Sequence, residues 1–403
     1  MQSKLSRLQK TILLTLHPYR NRPFELNRRL LSQKIAKELN KDFSLNSFQV
    51  ALCNSIKSLE KRGLIESESW GSYRTYLVLT SEGISTVKQL EEKQKKILLV
   101  DIDSKIPNLA LMKLSTYHKQ RGDKVSLLKH PCIDGKGRVK HTFDKVYISS
   151  IYEENKTKTL EFAQQFPDVE IGGFFIDPLK VLHYEVEHIM PDYALYKCNY
   201  SLGYTTRGCI NDCPWCIVPE KEGKITVNCD IYEFWNPEHK HLELLDNNPM
   251  ALPGHFKKIA DQIQKENLSV SFHGLDVRLL NDENTEILAQ LKIKPEPRFA
   301  FDCMEDEKWV RRGITLLQLH GIKRALWYVL VGFHTTWDQD MYRINLLKKL
   351  GQRPYMMRYG ATKNDPQYAL LSSWVNQYKF FNTMSYKRFV ECSRDRSKLG
   401  QPE

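Results

Sequence analysis

TTRGCINDCPWCIVPE, residues 205–220, places three of the chain's nine cysteines within eight positions: Cys209, Cys213 and Cys216. Clustered thiolates are soft ligands suited to zinc or to iron–sulfur clusters. Structural zinc closes its shell with four ligands, usually paired cysteines or histidines. No such pair stands close by, and only His239, His241, Cys198 and Cys229 are near enough in sequence to add a donor. Redox use of the C-P-W-C pair leaves Cys209 without a role. A cubane [4Fe-4S] cluster takes four thiolates when closed, so three leave one iron open to a small molecule. Chance yields such a triplet in fewer than about 1% of chains of this composition.

The 403 residues suggest two or three domains. With 41% hydrophobic and 27% charged residues the balance is globular. An odd, scattered set of cysteines argues against a disulfide framework and for a reducing compartment. No apolar run reaches the ~18 residues of a membrane span, and the short apolar stretch after the basic N-terminus has no cleavage site. A cytoplasmic protein with no membrane partner is expected. The net charge is +12, and residues 1–96 hold 18 lysines and arginines against 9 acidic residues. That asymmetry points to a polyanion partner, DNA or RNA, for residues 1–95.

Residues 30–40 (LLSQKIAKELN) and 45–67 carry apolar residues at helical spacing, with Phe48, Leu52, Ile56 and Leu59 on one face and Gly63 as the stop. Residues 64–80 alternate as two strands about Gly71. Helix, turn, helix and hairpin resemble a winged helix-turn-helix. In that family the second helix enters a major groove and the wing touches backbone, which would assign Asn46, Ser47, Gln49, Asn54, Lys57, Tyr73 and Arg74 to nucleic acid.

After the charged stretch 91–96, strand-like runs at 97–103, 124–129, 145–152 and 169–177 alternate with helical ones, and YEVEHIMPDYALY follows at 184–196. The order implies a doubly wound sheet over 96–196. It resembles the cobalamin-binding type of Rossmann domain. The Asp-x-His-x-x-Gly signature is absent, because Ser104, Lys105 and Ile106 follow Asp103 and His118 stands elsewhere. The fold is therefore expected without cobalamin.

Residues 197–385 repeat strand then helix. Strand candidates are 199–206, 241–248, 268–277, 297–303, 325–333 and 353–360; residues 386–403 read as a tail. Six strands with helical crossovers predict a partial (β/α)6 TIM-type barrel, with chemistry at the C-terminal strand ends. The cysteine triplet follows the first strand. C-x3-C-x-aromatic-C in that loop resembles the radical S-adenosylmethionine (radical SAM) superfamily.

The resemblance implies that Cys209, Cys213 and Cys216 each bind one iron of a [4Fe-4S] cluster. S-adenosylmethionine would chelate the fourth iron and be cleaved reductively to a 5′-deoxyadenosyl radical. It implies Trp215 near adenine, Asp246, Asn247 and Asn248 at the methionine amine, Asp302 near ribose, and Val331 and Gly332 against adenine. Asp276, Arg278 and Arg358 end other strands and are candidates for substrate. A reductase or flavodoxin-type donor would supply the electron. The rival class is a winged-helix DNA-binding regulator whose cluster senses oxygen or iron.

Overall fold

The computed structural model describes residues 5–20, 28–39, 41–42, 44–70, 74–92, 94–132 and 142–394. The chain divides into two compact units. One comprises residues 1–97, 121–126 and 140–145; the other comprises 98–120, 127–139 and 146–403.

In the first unit, helix α1 (Arg7–Leu16) begins at a capping box in which Ser6 and Gln9 satisfy each other's backbone N–H groups. Helices α2 (Arg28–Glu38) and α3 (Asn46–Lys61) follow, then strands β1 (Ile65–Trp70) and β2 (Arg74–Leu79), then α4 (Ser81–Glu92). Phe48, Leu52, Ile56 and Leu59 of α3 are buried, four positions or fewer apart, which is one face of a helix. They pack with Ile12, Leu13 and Leu16 of α1, Leu31 and Ile35 of α2, and Leu77 and Leu79 of β2. Gly63 adopts φ +66°, the left-handed conformation that ends α3. The two strands pair antiparallel from Ile65 opposite Leu79 to Trp70 opposite Arg74.

Strands β3 (Lys96–Asp101), β4 (Lys124–Lys129), β5 (Lys145–Ser149) and β6 (Val169–Gly172) form a sheet ordered β4-β3-β5-β6, with helices α5 (Leu109–Arg121) and α6 (Lys156–Ala163) between strands. The ladder between β5 and β6 is parallel. Residues 184–196 form two single turns, α7 (Tyr184–Glu187) and α8 (Tyr193–Tyr196).

All six strands expected beyond residue 197 are present, shorter than read. Strand β7 (Ser201–Gly203) is followed by β8 (Thr206–Arg207), α9 (Val218–Glu222) and β9 (Thr226–Val227). Then come β10 (His241–Leu244) and α10 (Pro253–Lys265), β11 (Ser269–Phe272) and α11 (Asp282–Gln290), and the short β12 (Lys292–Ile293). The chain continues through β13 (Arg298–Ala300), α12 (Glu307–Leu319), β14 (Leu326–Val331), α13 (Trp337–Lys349) and β15 (Arg353–Arg358). Helices α14 (Pro366–Val375), α15 (Tyr378–Thr383) and α16 (Tyr386–Arg394) complete the described chain. Helix α16 lies in the segment read as a tail, and its Phe389 is in the core.

These strands form two parallel sheets, β12-β11-β10-β7 and β13-β14-β15. Among the described residues no ladder joins them into one barrel sheet. They share one apolar core nonetheless. Leu242, Val270, Phe299, Trp327 and Met356 from the strands meet Phe256 and Ile259 of α10, Ile314 of α12 and Leu347 of α13. The fold is thus mixed α/β with parallel sheets. No helix among the described residues is long and apolar enough to cross a membrane.

One ion pair stands inside this core. Arg343 of α13 and Asp340 are both fully buried, with Nη2 to Oδ1 at 2.6 Å. The guanidinium also donates to the carbonyls of Phe301 and of Leu330, so the helix is tied to the ends of β13 and β14. Tyr368 donates its hydroxyl to the other oxygen of Asp340 at 3.0 Å. Removing one partner leaves a buried charge uncompensated. Arg343→Ala is expected to cost about 3–5 kcal/mol of unfolding free energy, read as a lowered urea midpoint with the slope unchanged.

Candidate functional site

The cysteine loop is clasped at its base. Thr206 and Arg207 pair antiparallel with Val227 and Thr226. Gly208 follows with φ +81°, and a Cβ there would come within 2.5 Å of the Lys224 carbonyl oxygen, so only glycine fits. The Cys209 N–H donates to the Gly223 carbonyl at 3.2 Å, and the Cys216 N–H to that of Cys213 at 3.0 Å. Glu222 gathers the clasp: it accepts from the Gly208 N–H and the Asn247 side chain, each at 2.9 Å, and from Arg207 at 3.2 Å. Arg207 also pairs with Glu187 at 2.6 Å and stacks 3.6 Å over the Tyr204 ring.

Four of the expected residues converge on this loop from the strand ends. Asp246, past β10, is 2% exposed. Its Oδ1 accepts from the N–H and hydroxyl groups of both Thr205 and Thr206, the two hydroxyls at 2.7 Å. Among the described residues its Oδ2 is buried without a hydrogen-bond partner, as is Oδ1 of Asn248. Burial pushes the Asp246 carboxyl above its usual range even though the threonine bonds pull it down. The Asn248 amide donates to Cys209 Sγ at 3.9 Å and approaches Asp276 at 3.4 Å. Asp276, past β11, holds Arg278 with two bonds of 2.8 Å and accepts from Asn211 at 2.8 Å. Burial opposes its charge, but these partners hold the Asp276 carboxyl below the usual range.

The thiols feel the same neighbours. Burial raises Cys213, while the Arg278 cation acts against that rise and Cys216 and Cys209 add to it. Cys209 Sγ also accepts the Asn211 N–H at 3.4 Å. Asp302, at the end of β13, accepts the Leu330 N–H at 3.1 Å, and burial pushes its carboxyl up to about 6. Trp215 meets Phe333 edge-on at 5.1 Å, and Phe333 meets Tyr359 at 4.9 Å. This aromatic row joins the cysteine loop to Val331 and Gly332. Gly332 has φ +81°, and a Cβ there would stand 2.3 Å from the Thr362 methyl group.

Two expected residues point elsewhere. Asn247 is committed to Glu222, and Arg358 donates to the Lys363 carbonyl at 2.9 Å. Spare donors for a closed zinc site are also engaged: His239 with Ser201 at 2.9 Å, His241 with Glu243 at 3.0 Å, and Cys229 with the Tyr204 carbonyl at 3.2 Å. Cys198 packs in an apolar cluster with Met112 and Tyr193. Among the described residues no group of three or more histidine, cysteine, aspartate or glutamate side chains is set to hold one metal ion. A cubane asks for something different, since each thiolate binds its own iron.

In the sheet ending at β6, the place of the missing signature is filled by the chain itself. Asp103 accepts from Ser150, from the N–H groups of Ile151 and Tyr152, and from Asn155. His118 is 7% exposed and bonded to Tyr147 at 3.1 Å. Gly173 accepts the Ile176 and Asp177 N–H groups and forms a turn. On α3 of the first unit, Asn46, Ser47, Asn54 and Lys57 are exposed and Gln49 is half-buried. Tyr73 and the side chain of Arg74 lie outside the described residues.

A second polar cluster stands apart from the residues that the sequence singles out. On the face of β10 and β11 away from the core, Glu243 accepts from His273 at 2.6 Å and Ser271 at 3.0 Å, besides its bond to His241. Arg298 reaches the other nitrogen of His273 at 3.2 Å. Burial opposes ionisation of Glu243, but the two imidazoles hold its carboxyl well below the usual range. Period-two alternation along β10 and β11 could have marked these positions as one face.

Asp302 gives the site a pH signature. Its pKa is about 6 in the fold, above the usual ~4 of an exposed aspartate. Below pH ~4 it is protonated folded or unfolded, and its stability is fully present. Between pH ~4 and ~6 the unfolded chain loses the proton first, so stability falls. Asp302→Asn is expected to flatten that fall and to gain roughly 2–3 kcal/mol over the native chain at pH 7, measured by urea unfolding across pH. Comparison with known proteins leaves this geometry to speak for itself, since no family model, no curated protein and no solved structure matches the chain.

Proposed function

We propose that the chain is a radical S-adenosylmethionine enzyme, with Cys209, Cys213 and Cys216 holding a [4Fe-4S] cluster. The observation that carries this reading is a pair of buried acceptors unpartnered among the described residues: Asp246 Oδ2, on the residue that anchors the start of the cysteine loop, and Oδ1 of Asn248, whose amide donates to Cys209. A buried acceptor without a donor costs about 1–3 kcal/mol. An ammonium group supplies the missing donors, and the raised Asp246 carboxyl suits a partner that brings positive charge with it.

The other residues fit the same ligand. Trp215, Phe333 and Gly332 offer apolar surface for adenine, and Asp302 offers an acceptor for ribose. Asn211 and Asn248 donate to the Cys209 sulfur, which favours its thiolate and tunes a bound cluster. Arg278 keeps a cation beside Cys213. When bound, the cluster and S-adenosylmethionine supply reductive cleavage of the sulfonium C–S bond to a 5′-deoxyadenosyl radical. The largely buried polar cluster at Glu243 then offers hydrogen-bonding groups toward a substrate on that face of the sheet.

The coarser parts of the reading follow. Two parallel sheets with one core support a partial (β/α)6 barrel. The order β4-β3-β5-β6, second-first-third-fourth, supports a Rossmann-like doubly wound domain in front of it. Because Asp103 is saturated by its own neighbours, that domain is read without cobalamin. Helices α2 and α3 with the β1–β2 hairpin support a winged helix, with Asn46, Ser47, Asn54 and Lys57 exposed toward DNA or RNA. The proposed setting is cytoplasmic, with a reductase or flavodoxin-type electron donor.

Anaerobically reconstituted protein, given dithionite and S-adenosylmethionine, is expected to form 5′-deoxyadenosine and methionine in equal amounts, read by mass spectrometry. Stoichiometric zinc, four-cysteine ligation, or a cluster-loaded protein that binds duplex DNA without forming 5′-deoxyadenosine would sink the proposal, the last favouring a sensor. Asp246→Asn keeps the Oδ1 acceptor for the threonines but removes the charge. It is expected to retain iron and sulfide while weakening S-adenosylmethionine binding by about tenfold or more, equivalent to ~1.4 kcal/mol.

A further inference from the structure

A cavity of about 330 Å³ opens at the opposite end of the strands from the cysteine loop. It lies at the N-terminal ends of β14 and β15, where Arg324 and Arg353 stand, beside the last turn of α13 with Lys348 and against α15 with Tyr378 and Asn382. At ~3.3 Å per residue, the six residues of β14 set it roughly 20 Å from Gly332.

Among the described residues three cations line this cavity and no carboxylate does. Glu296 stands behind the wall, pairing with Arg353 at 2.7 Å and with Arg324 at 3.6 Å. The positive groups are held in place by apolar neighbours. The Arg353 guanidinium lies 3.6 Å over the Tyr378 ring. Lys348 Nζ donates to the Met384 carbonyl at 3.0 Å and sits 4.9 Å from the ring centres of Trp374 and Phe381. The Nε of Arg353 is buried without a hydrogen-bond partner.

The N-terminal ends of parallel strands ordinarily serve stability alone. Among the described residues Arg324 and Arg353 share the one carboxylate of Glu296, and two like charges beside one cavity repel, which works against stability. An anion removes that repulsion and supplies an acceptor for the unmatched donor. Fixed guanidinium groups suit an oxyanion with several oxygens better than a point charge does. The volume falls within the range of small-molecule sites and exceeds the needs of one inorganic phosphate. We propose that this cavity binds a phosphate-bearing small molecule, independently of the cysteine site.

The test is isothermal titration of the full chain with inorganic pyrophosphate, adenosine monophosphate and uncharged adenosine, at low and high salt. Pyrophosphate or the nucleotide is expected to bind at low salt with a Kd of roughly 10 μM to 1 mM and to weaken as salt rises. Equal affinity for the two assigns the site to a free phosphate group; tighter binding of adenosine monophosphate assigns it to a nucleotide. Arg324→Glu, at a half-exposed position that leaves the Tyr378 stack intact, is expected to weaken binding at least about tenfold. Lys348→Met keeps the apolar stem and is expected to weaken it likewise, with both variants melting near the native temperature. Binding of neither anion, affinity unchanged in both variants, or adenosine binding as tightly as its monophosphate overturns the proposal. None of these outcomes depends on 5′-deoxyadenosine formation.

Discussion

Oδ1 of Asp246 is the point on which the cysteine loop is hung. Four donors from Thr205 and Thr206 meet that one oxygen, and they belong to the two residues that leave β7 and enter the clasp. The carboxylate sits at the end of the neighbouring strand, so the loop's point of departure is fixed to the sheet rather than to its own turns. A neutral hydrogen bond gives about 1 kcal/mol net, and bonds to a charged group give more. Concentrating four on one buried atom makes the direction of the chain at Gly208 hard to vary. The second oxygen of the same carboxylate is left open, and rigidity on one side is what keeps it open.

Three carboxylates at the strand ends stand in three electrostatic states. Asp276 is neutralised by Arg278 and lies below the usual range. Asp302 is buried with one backbone donor and is raised. Asp246 is saturated on one oxygen and bare on the other. The same residue type stands in three states because its surroundings differ, so one strand layer presents a salt-bridged carboxylate, a carboxyl of raised pKa and a half-satisfied buried one.

The apolar runs at 241–248, 268–277, 325–333 and 353–360 declared their strands because short apolar stretches between helical ones suit strands of a covered parallel sheet, and β11 and β14 are buried at nearly every position. Phe48, Leu52, Ile56 and Leu59 declared α3 by helical spacing in the same way. The C-x3-C-x2-C triplet stood out because its composition is rare. Asp246, Asn248, Asp276 and Arg278 were readable as strand-end residues, and the fold gathers them about the cysteines. What could not be read was pairing at a distance. Asn247 and Arg358 sit at equivalent strand ends, but each is drawn off by a partner, Glu222 or Lys363, that sequence spacing does not link to it. The Glu243 cluster, the Phe333–Trp215 contact and the Arg343 tie all require strand register and helix placement. A buried arginine such as Arg343 reads in the sequence as one more surface cation. The division of the strands into two sheets was equally hidden, since each strand is locally alike.

The β8–β9 clasp separates two kinds of stability. Residues 208–225 are closed off by a two-residue ladder, and their side chains contribute little to the apolar core under the sheets. Order in that loop is therefore set by its polar ties to the strand ends, Asn211 to Asp276 and Asn247 to Glu222, while the melting of the molecule is set by the core. On the proposed reading, oxidation of these thiols would abolish chemistry while leaving the apolar core, and the cooperative unfolding it governs, in place.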